Sequence, residues 1–167
     1  VLHVNLHTGK GKVLEFGDKA ETLGGSGLAA ALYLEFGDSA APWDHPDQPL
    51  IFAIGPLSAY FPLMSKTVCG FKSPYNNQYA ESHAGGRLAV TMRFAGYDAI
   101  MLTGKAPRLS CLAVGAQRLE FMDVHYLRGK DVFATGKLLR RIGRGSSAGH
   151  RSIMRIGPAG ENRSAYA

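Results

Sequence analysis

The residues best suited to chemistry lie between Ala80 and Thr103, where Ser82, His83 and Ala84 run into the pair Gly85-Gly86 and then into a helical pattern. Glycines ahead of a helix let backbone N–H groups approach an anion closely, and the helix dipole favours negative charge there. A histidine beside such a turn can donate to a phosphate or carry a proton near neutral pH. A tight turn with a capping histidine accounts for the same residues without a ligand. Other signals are thinner. Gly25-Ser26-Gly27-Leu28-Ala29-Ala30 spells Gly-x-Gly-x-x-Ala, but the dinucleotide fingerprint needs a strand directly before it. Gly17 to Leu23 reads as helix or loop instead, so close packing through small residues is the preferred reading. The Gly143–Gly149 loop lacks the Gly-Lys-Ser/Thr of a P-loop, though Arg144 and Arg151 stand near it. His3 and His7 share one side of a strand with no acid or cysteine at ligand spacing, and are expected to face solvent. No Ser/His/Asp set and no carboxylate pair stands out, so no catalytic and no metal-ligating residue is assigned. An anion cradle around Gly85 is the strongest feature.

The elements that must position it follow from periodicity and turn chemistry. Leu2 to Leu6 alternates apolar and polar, Thr8 to Gly11 is a turn, and Lys12 to Phe16 is a second strand, which together make a hairpin. Asp18 can cap an interrupted helix that runs to Phe36, its strongest part being Leu28 to Leu34, with Gly37 as its stop. Leu50 to Ile54 is a continuous apolar run ended by Gly55-Pro56 and predicts a fully buried strand. Thr67 to Phe71 is a further strand, and Lys72-Ser73-Pro74 turns the chain. After Gly85-Gly86, Leu88, Met92 and Ala95 share a helical face; Gly96 ends the helix and Tyr97 to Leu102 reads as a strand. Leu109–Val114 and Arg118–Val124 form a second hairpin. Asp131 to Ile142 is an amphipathic helix, and Ser152 to Ile156 a strand ended by Gly157-Pro158.

The two halves echo each other. Val13-Leu14-Glu15-Phe16 returns as Arg118-Leu119-Glu120-Phe121, and Ile54-Gly55-Pro56 as Ile156-Gly157-Pro158, at offsets of 105 and 102 residues. The shared order of hairpin, helix, strand and Gly-Pro predicts an α+β fold of duplicated hairpin–helix–strand units, a pseudo-twofold platform of two sheets. One domain over 1–167, with approximate halves 1–76 and 77–167, is expected.

With 167 residues and 46% apolar content the chain can build a sizeable core. It has no apolar run long enough to span a bilayer and no secretory signal pattern at its first residues. Cys69 and Cys111 have neither metal-site nor redox-motif spacing and favour a reducing compartment, so a cytoplasmic location is expected. The net charge of +6 is uneven: residues 128–167 hold nine Lys or Arg against Asp131 and Glu161. Such a segment suits a phosphate-bearing ligand, or, in the alternative reading, a non-enzymatic module for nucleic acid or an acidic protein. That alternative lacks exposed aromatics interleaved with the bases, since Phe133 and Tyr166 stand isolated.

Several segments carry a resemblance. Val4-Asn5-Leu6-His7-Thr8-Gly9, Leu23-Gly24-Gly25-Ser26-Gly27-Leu28-Ala29, Ile54-Gly55-Pro56-Leu57, Lys72-Ser73-Pro74, Arg93-Phe94-Ala95-Gly96-Tyr97-Asp98-Ala99-Ile100 and Ile156-Gly157-Pro158-Ala159-Gly160-Glu161-Asn162 appear in this order. In order and spacing the chain resembles the N-terminal domain of the aldehyde ferredoxin oxidoreductase family, the tungsten- or molybdenum-pterin enzymes. The resemblance implies a duplicated α+β base under a bis-pterin tungsten or molybdenum cofactor. It also implies a parent enzyme that oxidises aldehydes to carboxylic acids and passes electrons through a 4Fe-4S cluster to ferredoxin or another electron-transfer protein.

In the family, cofactor contacts come from a Gly-Gly-Arg segment after the first Gly-Pro and from an Asn-x-Gly segment before the helix that follows. Lys66 falls at the Arg position, His83 at the Asn position and Gly85 at the Gly, so Lys66, His83, Ala84 and Gly85 are the cofactor-binding candidates. Lysine keeps the charge but loses the bidentate fork. Histidine can replace an amide donor but not the amide carbonyl. The family's Asn helps hold a magnesium ion between the two pterins, and the Arg common before Gly-Leu in the early helix is Ser26 here. The family's cluster cysteines and substrate pocket lie on later domains, and neither Cys69 nor Cys111 matches them. The chain begins without Met and is read as a fragment, inactive by itself, of a longer enzyme. The remaining domains of that enzyme would be its partners, with a homodimer allowed and no membrane implied.

Overall fold

In a computed structural model of the chain, residues 1–17, 23–143 and 150–165 are described. The architecture is mixed α and β. Strands β1 (Leu2–Asn5), β2 (Lys10–Val13), β3 (Leu50–Ile54), β4 (Thr67–Lys72), β5 (Tyr79–Ala84) and β6 (Ala99–Thr103) form one six-stranded sheet in the order β2-β1-β6-β3-β4-β5. Only the β1–β6 pair is parallel, with Leu2 opposite Ile100 and Asn5 opposite Thr103. Strands β7 (Ser110–Gly115) and β8 (Arg118–Asp123) make a separate two-stranded hairpin. The helices are α1 (Gly25–Phe36), α2 (Leu88–Phe94), α3 (Val132–Ile142) and the short α4 (Pro158–Glu161).

Alternation along the central strands gives the sheet two apolar faces, because successive side chains point to opposite sides. Ile51, Ala53, Val68, Ala99 and Met101 pack with Leu28, Ala29 and Leu32 of α1. On the opposite face Ile54, Phe52 and Ile100 pack with Leu88, Ala89 and Met92 of α2. Gly70 lets α1 lie close to β4, since a Cβ there would sit 3.2 Å from that of Ala29. Gly37 closes α1 by donating its N–H to the Tyr33 carbonyl, and Asp131 caps α3 by accepting from the N–H groups of Phe133 and Ala134.

Several expectations hold with shifted boundaries. The first hairpin turns at Leu6–Gly9, so β2 starts at Lys10 and stops at Val13, short of Phe16. Leu50–Ile54 is a strand, though Leu50 is exposed and Phe52 only half-buried. Three expectations are corrected. The polar run Ser82-His83 is not a turn with a capping histidine but part of strand β5, hydrogen-bonded along β4 with His83 opposite Val68. Residues 152–156 carry no strand: a strand exists only through a ladder partner, and no described strand pairs with them. His3 does not simply face solvent: its ring Nε2 is 2.8 Å from Thr103 Oγ1, and its ring lies 6.3 Å from that of Phe36. The six-stranded sheet takes β5 and β6 from beyond residue 76. The helix start at Asp18 and the loop at 144–149 lie outside the described residues. No helix among the described residues is long and apolar enough to cross a membrane.

Lys72 is buried, and its Nζ donates to the carbonyls of Asp38, Ser39 and Ala41 at 3.2, 2.8 and 2.6 Å. Lys72→Met leaves those acceptors without their cation, a loss of about 1–3 kcal/mol. Amide hydrogen exchange over residues 38–42 is expected to accelerate by roughly tenfold or more, while exchange in α1 stays unchanged. His3 responds to pH. Burial first, then the Lys12 charge, lowers its pKa from the ordinary 6.5. The unfolded chain therefore binds a proton at His3 before the folded chain does, and stability falls as pH drops below about 6.5. Thermal melts across that range should slope less for His3→Gln than for the unmodified protein.

Candidate cofactor site

Three strand ends and one helix start converge at one edge of the sheet. β3 leaves at Ile54 into Gly55-Pro56 and the loop 57–64; β4 begins at Thr67; β5 ends at Ala84; and α2 begins after Gly85-Gly86. Between them lies a hollow of about 780 Å³, walled by the loop from Ala59 to Leu63, by Ser65 and Lys66, by Gly85 and Gly86, and by Val90 of α2. Thr67 pairs with Ala84, so Lys66 and Gly85 are the next residues outward on neighbouring strands. The structure thus brings Lys66, Ala84 and Gly85 to one place. Both glycines are exposed, and an added Cβ would meet nothing within 4 Å at either. Gly86 has φ +94°, a conformation that side-chain-bearing residues rarely adopt.

The loop 57–64 is unusual for its apolar exposure. Tyr60 is 70% exposed, Phe61 58% and Leu63 fully so. Ala59 and Leu63 hold positive φ values of 68° and 64° without being glycine. Residues in such conformations persist only where neighbours over-determine them. Two serines supply that constraint: Ser65 Oγ accepts from Ala59 N–H at 3.1 Å, and buried Ser58 lies with its Oγ 3.5 Å from the Met64 carbonyl. Arg93 of α2 anchors the loop's start. Its guanidinium donates to Asp98 Oδ1 at 2.7 Å, to the Gly55 carbonyl at 3.0 Å and to the Pro56 carbonyl at 3.3 Å. It also lies 5.7 Å from the Tyr60 ring centroid, within cation–π range.

His83 does not line the hollow. It shares a strand face with Val68, which packs toward α1, and its Nε2 is 3.1 Å from Glu81 Oε2. The same carboxylate accepts from Ser26 Oγ at 2.7 Å and from Tyr79 OH at 2.8 Å. Burial alone would raise the Glu81 pKa, but the hydrogen bonds from Ser26, Tyr79 and His83 outweigh it and hold the carboxyl below its ordinary range. Burial, with the neighbouring Glu81 carboxylate, pushes the Tyr79 hydroxyl well up. Sequence reasoning missed Glu81 and Arg93 as site residues. Ser26 and Glu81 lie 55 positions apart and only the fold joins them, whereas Arg93 sits five residues before Asp98, a spacing that could have suggested their pairing.

The residues suit a large group that is anionic in one part and flat and apolar in another. Lys66 supplies a cation, the open glycines let a ligand touch main chain, and Tyr60, Phe61 and Leu63 supply an apolar wall. One feature works against close main-chain approach: Met64-Ser65 precede Lys66 where the Gly-Gly-Arg pattern carries glycines. Cys69 is no nucleophile here, as burial raises its thiol to about 11. Cys69 and Cys111 are both free thiols, and no cluster of three or more His, Cys, Asp or Glu able to hold a metal exists among the described residues.

Comparisons with known proteins place the chain as a whole in a family. A family model described as the N-terminal domain of aldehyde ferredoxin oxidoreductase matches residues 1–167. The tungsten-containing aldehyde ferredoxin oxidoreductase of Pyrococcus furiosus is 33% identical over 164 residues, covering 96% of this chain and 27% of that protein. Its counterpart in Thermococcus kodakarensis is 34% identical over 164 residues, with the same coverage of 96% and 27%. Among solved structures, the active site complex BamBC of benzoyl coenzyme A reductase, in complex with 1,5-dienoyl-CoA, superposes with a TM-score of 0.86. It is 28% identical and covers 99% of this chain and 25% of that one. The chain therefore spans about a quarter of the length of the proteins it matches.

Proposed function

The chain belongs to the family of aldehyde ferredoxin oxidoreductase N-terminal domains, and on that premise we propose that it is the platform under a bis-pterin tungsten or molybdenum cofactor in a longer aldehyde-oxidising enzyme. The observation that carries this reading is the shared hollow, in which Lys66 and the open main chain at Gly85 and Gly86 face one volume of about 780 Å³. The tungsten-containing relatives favour tungsten of the two metals. When bound, the cofactor supplies the redox chemistry that converts an aldehyde to a carboxylic acid, and the protein supplies orientation and electrostatics. Lys66 holds a phosphate oxygen as a point charge. Ala84, Gly85 and Gly86 offer backbone polar groups to the pterin edge. Tyr60, Phe61 and Leu63 exclude water from the group they cover, which strengthens the Lys66 interaction.

The same reading places a 4Fe-4S cluster, the substrate pocket and a ferredoxin contact on later domains of the parent. It keeps a magnesium ion between the pterins, a cytoplasmic enzyme and a homodimer as its further terms. It also takes β7–β8, α3 and Gly157-Pro158 as a second copy of β1–β2, α1 and Gly55-Pro56, within one platform domain over 1–167. The test uses the full-length protein. Tungsten or molybdenum near one per chain, with aldehyde-dependent reduction of a redox dye, is the expected result. Absence of both metals together with no aldehyde-dependent reduction removes the proposal.

A further inference from the structure

The turn that follows α1 aims several oxygen acceptors at one place. The carbonyls of Asp38, Ser39 and Ala41 converge on Lys72 Nζ, at 3.2, 2.8 and 2.6 Å. Lys72 is the last residue of β4, and its side chain is buried. An ammonium has three protons and accepts nothing, so each proton meets one carbonyl. Other groups hold the turn in shape without Lys72. Asp38 Oδ1 accepts from the Ala40 N–H at 2.8 Å. Gln48 Nε2 donates to the carbonyls of Asp38 and Ala41, and so ties together two of the three oxygens that surround the ammonium. The other end of that amide, Gln48 Oε1, is buried without a hydrogen-bond partner among the described residues. A buried acceptor left unmet costs free energy, and it stands beside oxygens already turned toward a positive charge. We propose that this turn is a monovalent-cation site, that the Lys72 ammonium is its resident cation, and that it takes a free ion of potassium's size once the ammonium is removed.

Size and charge select the ion. Backbone carbonyls gathered around a point replace the hydration shell of potassium in ion channels. Ammonium and potassium are nearly the same size, so oxygens set around one suit the other. The separations of 2.6 to 3.2 Å lie at or beyond the roughly 2.3–2.6 Å at which calcium holds its oxygens, and well beyond the roughly 2.0–2.1 Å of magnesium. Sodium, smaller than potassium, would have to draw the carbonyls inward against the Gln48 tie. The turn also carries one carboxylate. The N–H groups of Ala40 and Ala41, ahead of the Lys72 charge, hold the Asp38 carboxyl below its ordinary range. One carboxylate beside neutral carbonyls balances a single positive charge. The site lies at the end of β4 away from Lys66, and nothing in it depends on the cofactor reading of the hollow.

The experiment compares the full-length protein with Lys72→Ala by amide hydrogen exchange over residues 38–42, in sodium, potassium or ammonium chloride at one ionic strength. Alanine opens room for an ion and leaves every oxygen in place. In sodium, Lys72→Ala should exchange faster there than the unmodified protein. Potassium and ammonium should slow it again, by about tenfold at ten times the dissociation constant, and leave the unmodified protein unchanged. Lys72→Met, whose apolar side chain occupies the opened space, should exchange fast in all three salts. Gln48→Leu added to Lys72→Ala should abolish the potassium response, because it removes both the tie and the unmet oxygen. Equal exchange of Lys72→Ala in sodium and potassium, or a potassium response in the unmodified protein, overturns the proposal. If alanine at this position costs the protein its fold in sodium, the salt itself becomes the readout: folding restored by potassium or ammonium supports the site, and a chain that folds in none of the three salts overturns it.

Discussion

Replacing Lys66 by Ala in the full-length enzyme is expected to strip most of its tungsten or molybdenum, with the polypeptide still folded. Lys66 is exposed at the start of β4, has no hydrogen bond to lose within the described fold, and faces the hollow shared with Gly85 and Gly86. Its removal therefore costs the fold little and the ligand much. A hydrogen bond from a charged donor contributes about 1.5–3 kcal/mol, which corresponds to roughly ten- to 150-fold in retention of the group it holds. Metal analysis after gel filtration measures the loss, and a melting temperature within a degree or so of the parent's guards against a folding artefact. Lys66→Arg is the informative control. Arginine restores the fork that matches two phosphate oxygens, so its metal content should equal or exceed that of the unmodified enzyme. A fully loaded Lys66→Ala enzyme would mean that the hollow is not where the cofactor lies.

Arg93→Met is expected to be the most damaging single change near the site, and it acts through the fold. The side chain bridges Asp98 and the carbonyls of Gly55 and Pro56. The Arg93 and Asp98 side chains are only 21% and 26% exposed. Removing one partner of such an enclosed pair costs about 3 kcal/mol. The loop 57–64 then loses its anchor, and the left-handed residues Ala59 and Leu63 lose the constraint that keeps them there. The expected signature is a lower melting temperature together with protease cleavage within 57–64. Arg93→Lys should recover part of the stability but not all, because an ammonium cannot span three acceptors in one plane. An intact, protease-resistant loop in Arg93→Met would show that Ser58 and Ser65 suffice to hold it.

Much of the scaffold was legible because it rests on local signals. The helix at Gly25–Phe36 follows from a run of strong helix formers with Gly37 after it, and β3 from five apolar residues before Gly55-Pro56. The β7–β8 hairpin and the Asp131 cap were equally local. What failed was non-local. β5 carries Glu81, Ser82 and His83, residues with little strand preference, and is a strand because β4 supplies a full ladder and because its side chains meet α1. The run 152–156 has the strand pattern but no ladder partner among the described strands. The site divides in the same way. His83, Ala84 and Gly85 stood out from the glycine pair ahead of a helix, whereas Lys66 could be named only through the family resemblance. The anchors Arg93 and Glu81 depend on contacts across 37 or 38 and 55 positions of chain, which no periodicity reveals.

The parallel pairing of β1 with β6 has a consequence for how the molecule is made. His3 lies opposite Met101, so the second residue row of the nascent polypeptide has no mate until almost a hundred further residues have been translated. At about 5–20 residues per second that delay is on the order of five to twenty seconds. Throughout it the first hairpin shows a bare backbone edge to solvent, a template for mispairing with other newly made chains. The lysines at 10 and 12 on its outer strand are charges of the kind that discourage such encounters until β6 arrives.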